Sequence, residues 1–167
     1  MMDLEADLKA LLERWGSEEA VYAFLERELE RINIDCFGRR LSLPQLQIKP
    51  MWLSRGLLGE RRSGADYEPA NGDKPAAIGL FSVVLRGEHS ARIALAHEMI
   101  HHWELTTEEE CHEGAYPKQV DKMIRQHFSE MTKEHVWRIG HSARFIWKAC
   151  EVAKLLGIFV RDLLFKG

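Results

Sequence analysis

The chain is organised around one stretch, Leu95-Ala96-His97-Glu98-Met99-Ile100-His101-His102-Trp103. Residues 90–104 contain neither Gly nor Pro. Within them apolar residues recur at three- and four-residue spacing, at Ile93, Ala96, Ile100 and Trp103. This periodicity predicts a mostly buried helix.

On such a helix, the imidazoles of His97 and His101 stand one turn apart and point the same way. Two histidines at this spacing can share one tetrahedral zinc ion at about 2 Å each, with Glu98 at the edge of the site. There the Glu98 carboxylate can take a proton from a zinc-bound water. Packing alone explains these side chains poorly, because buried imidazoles and carboxylates cost several kcal/mol unless they are paired or bound to metal.

The composition bounds the class of protein. A chain of 167 residues with 46% hydrophobic residues is suited to one domain with a proper core. The net charge of -3 and the pI near 6.2 do not resemble a nucleic-acid-binding domain. We interpret the basic pairs Arg39-Arg40 and Arg61-Arg62 as solvated loops rather than nucleic-acid contacts.

Cysteine usage and hydropathy predict a compartment. Cys36, Cys111 and Cys150 are widely separated and form no C-x-x-C pair, which favours neither a disulfide framework nor a zinc ribbon and indicates a reducing environment. The chain opens with acidic, amphipathic sequence, and no run of about eighteen apolar residues occurs. We therefore expect a cytoplasmic protein without a membrane partner.

The remaining pattern predicts an α+β fold in a single domain spanning residues 1–167. A first helix within residues 1–16 ends at Gly16, and Ser17 caps a second helix that runs to about Asp35. A last long helix follows His141 and ends at Gly157, and the apolar residues 158–165 either pack back on the domain or form an oligomer contact.

Between the helices the sequence predicts one small three-stranded sheet. Residues 46–49 form a short strand, residues 57–62 a second strand, residues 63–75 a loop, and residues 77–85 the best strand. In peptidases that carry a His-Glu-x-x-His helix, the bound peptide typically lies extended against an edge strand, which here would be residues 77–85 or the region of Leu57.

A catalytic zinc usually has three protein ligands, so a third must come from outside the pair. The candidates are His112, His127, His135, His141, Glu109, Glu110 and Glu113. Thr107 excludes the spacing His-Glu-x-x-His-x-x-Gly-x-x-His, and His102 points about 100° away from His101 around the helix. His141 differs from the other candidates because it opens a helix after Gly140, where a side chain can be aimed back at a core helix.

Several features occur in a recognisable order along residues 21–157. They are the segment Ile32-Asn33-x-x-x-Phe37-Gly38-x-x-Leu41 after a helix, the strand at residues 78–85, the helix with His97, Glu98 and His101, and the segment Gly140-His141-x-x-x-Phe145. In this order they resemble the SprT/Spartan-like zinc metallopeptidases. The resemblance implies a minimal zincin-like fold in which His97, His101 and His141 hold Zn2+ and Glu98 is the general base of an endopeptidase.

The resemblance also carries departures and a substrate class. Ser142 stands where the family usually has Gly after its third ligand, and the longer separation from His101 predicts an insertion at residues 104–139. Members often carry a zinc ribbon or DNA-binding appendages, for which we see no counterpart in this chain. Because characterised relatives degrade proteins crosslinked to DNA, DNA-associated proteins are the implied substrates, with weak and salt-sensitive DNA binding expected.

Two alternatives to a protease remain. In a non-catalytic, zinc-stabilised protein-interaction module, His112 or an acid among residues 109–113 would close a four-ligand site. A zinc hydrolase of small molecules would have a closed pocket instead of an open groove. His112 or His127 replaces His141 as third ligand if His141 is wrong.

Overall fold

The computed structural model describes residues 4–49, 54–56, 59–61, 64–109 and 141–165. Helix α1 is Leu4–Trp15 and helix α2 is Glu18–Phe37. The Ser17 side chain accepts a hydrogen bond from the Ala20 amide at 3.1 Å, and Gly38 ends α2 in the left-handed conformation at φ 61°. Both predicted helices and the predicted cap are confirmed, with α2 running two residues beyond Asp35.

The described strands are β1 (Gln45–Lys49), β2 (Ser54–Gly56), β3 (Gly59–Arg61), β4 (Ala65–Glu68) and β5 (Ala77–Phe81). A three-stranded sheet has the order β1-β5-β4, with β1 parallel and β4 antiparallel to β5. Strands β2 and β3 pair with each other as a separate antiparallel hairpin. The predicted α+β class with a small three-stranded sheet is therefore confirmed.

Two strand predictions were wrong in their boundaries. The single strand predicted at residues 57–62 is replaced by the β2–β3 hairpin, and the third strand of the sheet is β4, within the predicted loop at residues 63–75. Strand β4 is short and half polar, with Ala65 in the core and Asp66 and Glu68 in ion pairs with Lys49. Its strand character comes from pairing with β5, which a local pattern does not reveal.

The strand predicted at residues 77–85 ends at Phe81 and is followed by a short 3₁₀ turn, Val84–Arg86. Val84 and Leu85 are buried like the strand itself, so a continuous apolar run conceals the change of conformation. Strand β5 is also the central strand of the sheet, and it therefore cannot offer the edge predicted for a bound peptide.

On one face of the sheet an ion-pair group crosses β5 at Gly79. The Lys49 ammonium of β1 lies 3.0 Å from carboxylate oxygens of Asp66 and Glu68 on β4, and Lys74 lies 2.6 Å from Glu68. A Cβ atom on Gly79 would lie 2.1 Å from Asp66 Oδ1 and 2.7 Å from Lys49 Cε. The absence of a side chain at Gly79 thus leaves the space that this bridge occupies.

Helix α3, Glu88–Thr106, contains the motif and packs against β4, β5 and α2. Its central residues are buried on almost every side, including Leu95, Met99, Ile100 and Trp103. The predicted buried helix at residues 90–104 is confirmed. It begins at Glu88, so the exposed His89 lies in its first turn.

Two more helices complete the described chain, α4 (Ala143–Leu156) and α5 (Val160–Phe165). Gly157 ends α4 at φ 65°, at the predicted position. Leu163 and Leu164 of α5 are buried against the core, so the apolar segment packs back on the domain. No helix in the described part of the chain is long and apolar enough to cross a membrane.

Candidate metal centre

The structure brings together His97, His101 and His141. The ring centroids lie 4.9 Å apart for His97 and His101, 4.9 Å for His97 and His141, and 5.3 Å for His101 and His141. One ligand nitrogen from each histidine lies within 4.8 Å of the others, an arrangement that could hold a metal ion. Helix α3 supplies two of these residues, and the third lies immediately before α4.

The hydrogen bonding of His141 fits a residue that binds a metal ion. His141 Nδ1 is buried and has no hydrogen-bond partner among the described residues. A buried polar atom without a partner carries a desolvation cost of about 1–3 kcal/mol, which a bound metal ion would remove. The three-histidine donor set is also one that catalytic zinc sites use.

His97 is oriented by a backbone carbonyl. Its Nδ1 lies 2.5 Å from the Leu163 carbonyl oxygen, and because a carbonyl only accepts, Nδ1 must donate. His97 Nε2 is then the nitrogen with a free lone pair. His101 has a looser neighbour, since its Nδ1 lies 3.9 Å from Glu104 Oε2.

His141 is held by contacts between the start of α4 and the end of α3. The Ser142 hydroxyl accepts from the Phe145 amide at 3.0 Å and donates to Glu104, while Arg144 donates to the carbonyls of Glu104 and Thr107 at 2.9 and 2.7 Å. Ser142, which stands where the resemblance predicted a glycine, therefore caps α4 and joins it to α3.

Electrostatics keep the imidazoles in the form that binds metal. Burial lowers the pKa of His97 to about 4, against the opposing effect of the hydrogen bond to Leu163. Burial, followed by the neighbouring His97 and His101, lowers the pKa of His141 to about 3, and burial also lowers the pKa of His101. All three rings are accordingly neutral at pH 7 without metal.

Glu98, the predicted general base, directly follows His97 in the sequence and is buried, with 4% of its surface exposed. Burial, followed by the negative charge of Asp66, raises its pKa to about 8. Without a metal ion the carboxyl group is thus mostly protonated at pH 7. Strongly shifted pKa values of this kind cluster at functional sites, and Glu98 directly follows His97 on helix α3.

His102 takes no part in the cluster. Its Nε2 donates to the Ser42 carbonyl at 2.8 Å, so its Nδ1 accepts from the Tyr67 hydroxyl, also at 2.8 Å. Both ring nitrogens are used in joining α3 to β4 and to the loop before β1. The prediction that His102 points away from the other two is confirmed.

The alternative ligands fall into two groups. Glu109 accepts from the Trp103 indole at 3.2 Å and lies 3.6 Å from the Arg40 guanidinium, and it is not part of the cluster. His112, His127, His135, Glu110 and Glu113, with most of the predicted insertion at residues 104–139, lie outside the described residues.

Sequence analysis did not predict three groups whose hydrogen bonds hold the histidines or the helices around them. They are the Leu163 carbonyl, the Arg144 guanidinium and the Tyr67 hydroxyl. Arg144 alone had a local signal, since it lies in the first turn of the helix that follows the proposed ligand.

Comparisons of the chain with known protein families, with curated proteins and with solved structures found no match. The fold and the site define the chain as an α+β protein with a candidate metal centre. Two of its three histidines lie on the buried helix α3 and the third lies beside it.

Proposed function

We propose that the chain is a zinc-dependent endopeptidase of the SprT-like type. The observation that carries the proposal is the convergence of His97, His101 and His141. A buried acid, Glu98, directly follows the first of them in the sequence of the same helix. A purely structural zinc site does not need an acid at that position.

The chain's residues divide the chemistry among them. A zinc ion held by the three histidines would act as a Lewis acid and lower the pKa of a bound water. Glu98 accepts the proton of the attacking water and returns it to the leaving amine. Glu98 must be ionised to accept that proton, and the positive charge of a bound metal ion favours the ionised form.

The substrate backbone lies against β4 in this proposal, in place of the central strand β5. Two observations support the choice between the edges of the sheet. Strand β4 packs directly against the motif helix α3, and Tyr67 joins the two elements through His102. At the other edge, α2 covers β1, where the Ile48 amide donates to the Tyr22 hydroxyl at 3.2 Å.

DNA-associated or DNA-crosslinked proteins are the substrate class that the family resemblance implies. Two exposed basic side chains already face carboxylates: Arg39 lies 3.8 Å from Glu30 and Arg40 lies 3.6 Å from Glu109. This pairing supports weak DNA binding that salt abolishes. Gel shifts at low and high salt test it, and tight binding retained in high salt would contradict it.

Elemental analysis with a cleavage assay tests the main proposal. The proteins are wild type, Glu98→Gln, His141→Ala and the control His89→Ala, whose histidine is exposed at the start of α3. Cleavage of a protein substrate is followed with and without single-stranded DNA. We expect one zinc in wild type, Glu98→Gln and His89→Ala, loss of zinc in His141→Ala, and loss of cleavage in Glu98→Gln.

Each contrary result has its own meaning. Zinc retained by His141→Ala would mean that the third ligand is another residue. Zinc bound by wild type without cleavage under either condition would favour the non-catalytic interaction module. A wild-type protein that binds no metal would overturn the proposal altogether.

A further inference from the structure

Helix α5 lies against the metal centre although it contributes no ligand. It packs on both α3 and α4, the two helices beside which the histidines lie. Leu163 and Leu164 are its most buried described side chains, at 0% and 3% exposure, whereas Phe159 just before it is 80% exposed. Gly157 separates α5 from α4 by a turn in the left-handed conformation.

The contact to the site is made by backbone. The last four carbonyls of a helix have no intrahelical partner, and Leu163 belongs to the last turn of the six-residue α5. Its carbonyl accepts the His97 Nδ1 proton at 2.5 Å, with both residues buried. The bond therefore satisfies an otherwise unpaired carbonyl and selects one tautomer of His97.

His101 has no comparable hydrogen bond in the described part of the chain, since its Nδ1 lies 3.9 Å from Glu104 Oε2, beyond hydrogen-bond distance. His141 Nδ1, which has no partner within the described ranges, is left available to a metal ion. Among the described contacts, His97 is therefore the ring whose orientation and tautomer a short hydrogen bond fixes before metal binds.

We propose that α5 is a positioning element of the metal centre: by docking, it aims Nε2 of His97 into the site and raises the affinity for zinc. A carbonyl that accepts the second N–H of a ligating histidine fixes the ring and increases its basicity. The inference rests on the proposed metal-binding function of the three histidines. Because linkage is reciprocal, bound zinc must in turn stabilise the docked state of α5.

The test changes Leu164, the buried residue that follows Leu163. Leu164→Asp places a charge in the core and should release α5 from the domain. Leu164→Met keeps an apolar side chain of similar size, so α5 should stay docked. Leu11→Asp is the matched control, because Leu11 is 5% exposed and lies on α1, which packs on α2 and the turn at Val84–Arg86. Zinc affinity is measured on the folded proteins by competition with a chelator.

We expect Leu164→Asp to weaken zinc binding by roughly 10–100-fold, the usual effect of losing such an outer partner. Leu164→Met and Leu11→Asp should bind zinc like wild type. If Leu164→Asp binds zinc as tightly as Leu11→Asp, α5 does not position the site and the inference is overturned, although the proposed function stands. If wild type binds no zinc, the proposed function fails, and the inference fails with it.

Two measurements on the wild-type protein need no variant and remain decisive if Leu164→Asp does not fold. Nitrogen NMR of the metal-free protein at pH 7 should show His97 protonated at Nδ1, and an Nε2-protonated ring would overturn the inference. Hydrogen exchange of the Leu163 amide, which bonds to the Phe159 carbonyl, should slow when zinc is added. Exchange that zinc leaves unchanged would equally overturn it.

Discussion

The imidazole of His141 stacks face to face on the ring of Phe145, with centroids 4.0 Å apart and planes within 3° of each other. The same phenylalanine lies 5.1 Å from the His97 ring and 4.5 Å from the His101 ring, and it is fully buried. One aromatic side chain thus contacts all three members of the candidate metal centre.

Replacing Phe145 with Ala should affect both stability and metal binding. Truncation of a buried phenylalanine costs about 3–5 kcal/mol of unfolding free energy, and here it also removes the surface on which the histidines pack. We expect weaker zinc binding in addition to the loss of stability, measured by chelator competition and by denaturant unfolding of the metal-free protein. Phe24→Ala on α2, 4% exposed, is the control that should lose stability alone. Equal zinc affinity in the two variants would contradict this role of Phe145.

Zinc affinity should depend on pH more through Glu98 than through His97 and His141. The pKa of Glu98 is raised to about 8 without metal, whereas those of His97 and His141 are lowered to about 4 and about 3. Because a cation favours the ionised carboxylate, zinc binding between pH 5 and 7 should release the Glu98 proton, and affinity should rise by about tenfold per pH unit.

Glu98→Gln removes this proton and should flatten the dependence of zinc affinity on pH between 5 and 7. Isothermal titration in buffers of different ionisation enthalpy counts the protons directly. Ordinary histidines with pKa values near 6.5 would instead release up to about three protons at the acidic end of this range. Such a release, or an unchanged slope in Glu98→Gln, would show that the carboxyl group is not the group that titrates.

Arg144 should be important for metal binding although it lies outside the cluster. It donates two bonds to Thr107, stacks over the Trp103 ring at 4.4 Å and bonds to the Glu104 carbonyl, which joins the His141 segment to α3. Arg144→Ala should lower the unfolding free energy by roughly 1–3 kcal/mol and weaken zinc binding.

Arg144→Lys should fail to restore either property, because an ammonium group cannot reproduce the planar fork of the guanidinium. Denaturant unfolding and zinc competition on the three proteins check the expectation. Full recovery by lysine would mean that charge alone matters at this position.

His102 should contribute to stability and not to metal binding. His102→Ala leaves the Ser42 carbonyl and the Tyr67 hydroxyl without their buried partner, at a cost of roughly 1–3 kcal/mol, and zinc stoichiometry should stay at one. Tyr67→Phe removes only one of the two bonds and should cost about 0.5–1.5 kcal/mol. Loss of zinc from His102→Ala would identify it as a ligand.

The helices were predictable because their signals are local. The apolar spacing of α3, the Ser17 cap and the terminating glycines at 16, 38 and 157 each depend on residues within a few positions of one another. The pairing of His97 with His101 follows from the same helical geometry. The predicted helix start after Gly140 distinguished His141 from the other candidates, and the family resemblance was needed to choose it as the third ligand.

Other features depend on contacts between distant segments and cannot be predicted from the local sequence pattern. Strand β4 is a strand because β5 pairs with it, and the apolar run after Phe81 contains both a strand and a turn. The Leu163 carbonyl lies 66 positions from His97 and belongs to the backbone. The identity of the side chain at position 163 therefore gives no indication of this hydrogen bond.

Gly79 determines how the three strands can align. Side chains alternate between the faces of a strand, so a slip of β1 or β4 by two residues would bring the Lys49–Asp66 bridge over Ala77 or Phe81 instead of Gly79. The side chains at those positions would leave less space for the lysine to reach Asp66 across β5. Shifted pairings would therefore weaken the Lys49–Asp66 ion pair, so Gly79 favours the native register of the sheet over shifted registers.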